Sequence, residues 1–171
     1  PISMPHPLIW HLMSCPRKSR KITKKGDPYQ EQIEATCTAI ATAAGLVERD
    51  ADWAICYQSR VGPMKWLGPS TPDAIKQAAA DGVGVVVTPI AFVSEHIETL
   101  VELDIEYGEL AHEAGLHPYL RAPAVGVAET FIGALAQAVT ASLDRTGTAP
   151  FGPGCQARWK ACPFQTEAAV A

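Results

Sequence analysis

Long apolar runs, a strong net charge and regularly spaced cysteines are all lacking from this sequence of 171 residues. Without a run of about 18 apolar residues, the sequence predicts no membrane-spanning helix. A net charge of −4 argues against a general nucleic-acid binder. Residues 1–11 also lack the cationic start and apolar stretch of a secretory signal peptide.

The cysteines argue against a secreted protein. Their number is odd and their spacing is irregular, which argues against the disulfide framework of a small extracellular domain. We therefore expect a reducing cytoplasm. The five cysteines are Cys15, Cys37, Cys56, Cys155 and Cys162.

Hydrophobic periodicity predicts an α/β protein from Tyr29 onward, whereas residues 1–25 show no period. The continuous apolar run of residues 83–92 is typical of a strand buried on both faces of a parallel sheet flanked by helices. The predicted elements are a helix capped by Asp27 and closed by Gly45, a strand at 53–57, a helix from Ser70 or Thr71 to about Asp81, a strand at 83–92, a helix from a Ser94 cap to near Gly115, a short strand at 119–122 and a helix at 128–143.

The predicted helix after the second strand carries a row of carboxylates. Glu98, Glu102 and Glu106 are spaced four apart, so an α-helix places them on one face. Two interpretations fit this spacing: a solvated acidic face, or a row that binds a cation or moves protons. The neighbouring apolar stripe, which we expect to face the core, consists of Ile97, Val101 and Ile105.

His96 stands two residues before Glu98, so a regular helix points these two side chains in opposite directions. They can converge only in an irregular first turn or at a π-bulge, a feature often found at functional sites. Because the helix follows a buried strand, both residues are expected at the sheet edge where α/β proteins bind ligands.

The loop after the first predicted strand is rich in glycine and proline and carries Met64 and Trp66. A flat apolar contact with a ligand is one interpretation of these two side chains. The alternative is that Trp66 packs under its own loop.

These segments resemble the ferrochelatase family. Residues 58–63 read Gln-Ser-Arg-Val-Gly-Pro and residues 66–69 read Trp-Leu-Gly-Pro, in the family's order. Residues 89–100 carry its Pro-Ile-Ala-Phe-Val-Ser-Glu-His-Ile-Glu-Thr-Leu segment, and residues 102–107 its Glu-Leu-Asp-Ile-Glu-Tyr segment. With the Gly-Asp-Pro-Tyr turn that starts at Gly26, the resemblance extends to about Gly115.

The resemblance implies a chelatase-like, Rossmann-like α/β lobe, the C-terminal one of a two-lobe enzyme with a porphyrin cleft between its lobes. It also implies a lyase of haem biosynthesis that inserts ferrous iron into protoporphyrin IX to form protohaem. The site residues that it implies are Glu98 for metal or proton handling, His96 as the second catalytic residue, Glu102 and Glu106 as a proton or metal relay, and Trp66 with Met64 at the porphyrin cleft.

One position departs from the family. Counted back from Gly26 without gaps, the His of the family's Ser-Ala-His motif falls on Pro16. The codons TGC CCA CGG AAG TCN encode Cys-Pro-Arg-Lys-Ser, and read one base later they encode Ala-His-Gly-Ser. We therefore expect residues 1–25 to be an aberrant segment, out of frame up to about Ser19.

The expected organisation has three parts: the aberrant segment 1–25, a ferrochelatase-like lobe at 26–145 and a loose tail at 146–171. The family's N-terminal lobe, which should form the other cleft wall, is expected to be missing. Cys155 and Cys162 are candidate ligands of the [2Fe–2S] cluster that some family members hold. Such clusters need four ligands, so free thiols are favoured and no cofactor is expected.

Two alternative functions stay open. One is an inactive remnant that retains only metal or porphyrin binding, and the other is a different tetrapyrrole chelatase, for example one that uses cobalt. The length of the matching motifs favours iron. The expected partners are protoporphyrin IX and ferrous iron, without nucleic acid and with a peripheral membrane contact, because the porphyrin is apolar.

Overall fold

The computed structural model describes residues 9–16, 20, 26–58, 63 and 65–143. A parallel sheet of four strands, in the order β2-β1-β3-β4, forms its centre and confirms the predicted α/β class. The strands are β1 (Ile9–Pro16), β2 (Trp53–Gln58), β3 (Gly84–Pro89) and β4 (Tyr119–Arg121). The helices are α1 (Tyr29–Ala43), α2 (Thr71–Ala80), a π-helix (Glu98–Glu106) that continues into α3 (Tyr107–Glu113), and α4 (Glu129–Ser142).

Apolar side chains cover both faces of the sheet. Leu12 and Met13 are neighbours in β1, so they point to opposite faces, and both are buried. On the face of Leu12, α2 and α3 contribute Ile75 and Ala111 to the core. On the face of Met13, α1 contributes Ile33. Helices therefore flank the sheet on both sides, as predicted from the apolar strand.

The predicted ends of the first two helices are present. The Tyr29 N–H donates to Asp27 Oδ1 over 2.9 Å, although the backbone cap position falls one residue later. Gly45, with a φ of +68°, follows the end of α1 in the left-handed conformation that glycine tolerates. The Ser70 side chain accepts the N–H of Asp73 at the start of α2.

The central strand β1 comes from the segment in which the sequence shows no period. His11 lies beside Trp53 of β2, and Ser14 lies beside Pro89 of β3. A strand that is covered on both faces needs no alternation of polar and apolar residues. Periodicity alone therefore could not separate β1 from an irregular segment.

The predicted start of the helix after β3 is wrong. Ser94 does not cap it, because the π-helix begins at Glu98 and has no side-chain cap. The preceding turn is held instead by Thr99, whose hydroxyl accepts the His96 N–H over 2.9 Å.

The predicted core-facing stripe of this helix is also wrong. Ile97 and Ile105 are 71% and 53% exposed, while Thr99 and Leu103 are fully buried. A π-helix closes hydrogen bonds between residues five apart, so its turns are wider than α-helical turns. The residues that face the core are therefore Thr99 and Leu103, not the apolar stripe that the sequence predicts.

The carboxyl ends of the four strands lie at one edge of the sheet, where parallel α/β sheets bind ligands. The neighbouring strands β1 and β3 are followed by helices on opposite faces, since α1 and the π-helix belong to different core clusters. The chain therefore diverges between these two strands, which is the topological switch point of the sheet.

Two predictions about the membrane and the C-terminal tail complete the comparison with the sequence. Within the described residues, no helix combines the length and the apolar composition that crossing a membrane requires. The predicted tail, with Cys155 and Cys162, and the loop residue Met64 lie outside the described residues.

Candidate functional site

The turn between β3 and the π-helix brings His96 and Glu98 together through the backbone. The Glu98 N–H donates to His96 Nδ1 over 3.1 Å. Thr99 Oγ1 also donates to the His96 carbonyl over 2.9 Å, and the imidazole ring packs on Phe92 with 4.7 Å between ring centroids. Because Nδ1 accepts, a neutral His96 carries its proton on Nε2. The two residues approach each other where an irregular turn leads into a π-helix, which are the two settings that the sequence analysis gave as alternatives.

Glu98 has a buried carboxylate oxygen that no group of the described chain satisfies. Its Oε2 is buried without a hydrogen-bond partner. Its backbone carbonyl accepts a hydrogen bond from Gln58 Nε2 over 3.2 Å, and Gln58 is fully buried at the end of β2. A buried acceptor without a partner costs about 1–3 kcal/mol, so its presence in a native fold needs an explanation. A ligand that binds at this oxygen would be one explanation.

The carboxylates of the row become more exposed along the π-helix. Glu98 and Glu102 are half-buried, and Glu106 is exposed. The Tyr107 hydroxyl lies 3.5 Å from Glu102 Oε2. Among the described residues, no group of three or more His, Cys, Asp and Glu side chains could hold a metal ion. The row therefore leads from the sheet edge outward and does not converge on one point.

Trp66 is half-buried, and its indole Nε1 is buried and has no hydrogen-bond partner among the described residues. Its loop is tied to the end of β2, because the Tyr57 N–H donates to the Pro69 carbonyl over 2.9 Å. The burial fits a tryptophan that packs under its own loop. The unpaired indole N–H equally fits a donor that awaits a ligand.

Two tyrosines line the α1 side of the strand ends. Burial is the main cause that raises the pKa of Tyr29 and of Tyr57 above the ordinary value for a phenol, and the thiol of Cys15 contributes. The charge of Glu98 adds to the shift of Tyr29. Both phenols therefore stay protonated at neutral pH, as uncharged hydroxyl groups near the site.

Sequence reasoning missed two polar residues that support the site. Gln58 holds the Glu98 carbonyl, and Arg121 joins the carboxylates of Glu95 and Asp104 around the π-helix. Each of the two ends a strand at the ligand-binding edge. That position is the signal that could have identified them, since a polar residue at the end of a buried strand points to the site.

Comparison with known proteins reveals close relatives. The sequence profile of the family named Ferrochelatase matches residues 11–143. The chain is 56% identical over 142 residues to a ferrochelatase of Phenylobacterium zucineum strain HLK1, covering 83% of this chain and 40% of that protein. It is 49% identical over 162 residues to a ferrochelatase of Caulobacter vibrioides strain NA1000, covering 93% of this chain and 46% of that protein. The chain thus spans less than half the length of these curated relatives.

A solved structure shares the fold. It is described as a putative cobalamin (vitamin B12) biosynthesis CbiX protein from Marinobacter aquaeolei VT8, and it superposes with a TM-score of 0.54. The superposition covers 81% of this chain and 99% of the other, with 18% sequence identity. An identity this low is evidence for the fold alone.

Proposed function

Because this chain belongs to the ferrochelatase family, we propose that it forms the C-terminal lobe of an enzyme that inserts ferrous iron into protoporphyrin IX. The chain matches less than half of its relatives' length, so the reaction is proposed for the whole protein. We place that protein in the cytoplasm, in peripheral contact with a membrane that dissolves the porphyrin. The likeness to the CbiX structure concerns the fold and does not favour cobalt.

The reaction sets clear requirements. Ferrous iron replaces two pyrrole protons, so two protons must leave the porphyrin, and a base must stand near its nitrogens. The iron must be held by few ligands so that it can be transferred. Bending the porphyrin ring to expose its nitrogens uses binding energy for substrate distortion.

The observation that carries the proposal is the buried, unpartnered Oε2 of Glu98. A carboxylate oxygen in this state can accept a proton or coordinate a cation without first breaking a bond within the described chain. The Gln58 amide fixes the Glu98 backbone, and the His96 ring accepts the Glu98 N–H. These contacts support the assignment of Glu98 as the residue that binds the metal or accepts a proton, with His96 as its catalytic neighbour.

Glu102 and Glu106 fit a relay between this oxygen and solvent. Their exposure increases along the π-helix, so a proton released at Glu98 has successive carboxylates on its way to water. In the opposite direction, the same row attracts a divalent cation toward Glu98. Trp66, with Met64 beside it in sequence, fits the apolar wall against which the porphyrin lies.

The direct test joins this chain to the part of the Phenylobacterium zucineum relative that it does not match. Metal insertion into protoporphyrin is followed by the absorbance of the metalloporphyrin, with ferrous iron or Zn²⁺ as the metal. Glu98→Gln should lower the rate by about 10²-fold or more, because general-base contributions are typically this large. Glu109→Gln, on an exposed part of α3, is the matched control and should retain the rate.

An unchanged rate in the Glu98→Gln protein would overturn the assignment of Glu98. If the joined protein binds Zn²⁺ and porphyrin but metallates no faster than free solution, the chain is a binding remnant. A much faster reaction with cobalt than with iron would favour the other chelatase class.

A further inference from the structure

Arg121 makes the most extensive ionic contact among the described residues. Its Nη1 lies 2.9 Å from Glu95 Oε1, and its Nη2 donates to Asp104 Oδ2 over 2.7 Å. The Nε of Arg121 also donates to the other oxygen of Asp104, which makes the contact with Asp104 bidentate. Only 12% of the Arg121 side chain is exposed. Charge-assisted, bidentate pairs of this kind combine strength with a fixed geometry.

In the sequence, one of the two carboxylates precedes His96 and Glu98 and the other follows them. Glu95 directly precedes His96, and Asp104 lies in the second half of the π-helix that begins at Glu98. Glu95 is held further by the Ala124 N–H, which donates to its Oε1 over 2.8 Å. The end of β4 and the loop after it are thus tied to both ends of the segment that carries His96 and Glu98.

This segment needs such a support. A π-helix is rare and is usually limited to a single turn, because its hydrogen bonds and packing are less favourable than those of an α-helix. Here it extends over nine residues, and no side chain caps its start. An isolated ion pair on a surface contributes little. The Arg121 guanidinium is largely buried and joins three segments. We expect it to stabilise the fold more than a surface ion pair does, because its loss releases all three segments at once.

We propose that Arg121 is a positioning residue that holds the start of the π-helix and thereby sets where His96 and Glu98 lie. It touches neither of the two and acts through Glu95 and Asp104. The inference about geometry stands on these contacts alone. The inference that this geometry matters for a divalent cation rests on the proposed function.

The test uses the 171-residue chain and two measurements. The first is hydrogen exchange of individual backbone amides, in which the Glu98 amide reports the bond to His96 and the Leu12 amide reports the core. The second is Zn²⁺ affinity by titration calorimetry, with Zn²⁺ as the probe cation. In Arg121→Gln, we expect the Glu98 amide to exchange about tenfold faster or more, as the loss of charged hydrogen bonds predicts, with little change at Leu12.

Two variants calibrate this result. Arg121→Lys retains the charge but not the bidentate geometry, so it should recover only part of the protection at Glu98. Arg49→Gln is the matched control, because Arg49 also makes two hydrogen bonds, to the carbonyls of Ala44 and Gly45 at the end of α1. It should leave the Glu98 amide and the Zn²⁺ affinity unchanged.

The outcomes separate the two ideas. Faster exchange at Glu98 with about tenfold weaker Zn²⁺ binding supports the proposal in full. If the parent chain binds no Zn²⁺, the proposed function loses support while the exchange data still decide the positioning role. If Arg121→Gln does not fold, the Asp104→Asn variant is measured in its stead, because it removes one of the two carboxylates that Arg121 contacts. Unchanged exchange at Glu98 in the variant that folds, or equal loss at Glu98 and Leu12, would overturn the proposal.

Discussion

Pro16, the last residue of β1, lies beside Gln58, the last residue of β2, in the register of the sheet. Gln58 in turn donates to the Glu98 carbonyl. Pro16, to which an ungapped count from Gly26 assigns the motif histidine of the ferrochelatase family, is therefore at the same sheet edge as Glu98. Proline has neither an imidazole nor a backbone N–H, so it can neither ligate a cation nor accept a proton there.

Replacing this proline tests its position. Pro16→His in the 171-residue chain should raise the affinity for Zn²⁺ by about tenfold, because imidazole nitrogen is a preferred ligand of zinc. Titration calorimetry measures the change, and Gln32→His on the exposed side of α1 provides the control for an added histidine. Equal affinities in both variants would place position 16 outside the site.

The two tryptophans of the described β2 region should respond differently to removal. Trp66→Ala should weaken porphyrin binding by about tenfold or more, as expected when an aromatic anchor is lost, with a smaller effect on folding. Trp53→Ala should instead lower the melting temperature, because Trp53 packs on the core cluster of α1. Fluorescence titration with a porphyrin and thermal unfolding separate the two effects. A large fall in melting temperature with unchanged porphyrin affinity in Trp66→Ala would favour the packing interpretation.

Gly84 at the start of β3 should not tolerate a side chain. A Cβ at this position would lie 2.9 Å from the backbone nitrogen of Pro118 and closer still to its ring. Gly84→Ala should therefore lower the free energy of unfolding by about 1–3 kcal/mol, the usual effect of overpacking. Gly133→Ala is the control, because a Cβ there meets nothing within 4 Å and alanine favours the helix. Urea unfolding of both variants is the measurement, and a Gly84→Ala protein as stable as the parent would contradict the close contact.

Stability should fall at low pH partly through Glu95. The neighbouring Thr99 hydroxyl, the Ala124 N–H and the Arg121 guanidinium lower the pKa of Glu95 from 4.5 to about 2. Because the pKa is lower in the folded state, the contribution is complete above about pH 4.5 and is lost as the pH falls toward 2. Glu95→Gln should therefore reduce stability at pH 7 and flatten the stability profile between these values. Glu109→Gln serves as the control, and a profile of Glu95→Gln parallel to that of the parent would contradict the assignment.

The sequence by itself determined the class of the fold and predicted the place of the candidate site. Apolar strands and amphipathic helices alternate strongly enough after Tyr29 to predict most elements, because burial against a parallel sheet imposes a continuous apolar pattern. The motif residues from Pro89 to Tyr107 also identified the family, and the family profile matches a longer range, residues 11–143. The spacing of His96 and Glu98 also set the condition for their approach, since a regular helix would separate them. The structure meets that condition with a π-helix and a bond from the Glu98 N–H to the His96 ring.

Only the tertiary structure decided how the site is supported. The π-helix buries Thr99 and Leu103, whereas Ile97 and Ile105 of the predicted apolar stripe are exposed. Gln58 and Arg121 reach the site from strand ends that are distant in sequence from Glu98. Local patterns record which face of an element is buried, but contacts between elements depend on the order and register of the strands. Those are fixed when the sheet assembles, so the carboxylate is predictable from the chain and its supports are not.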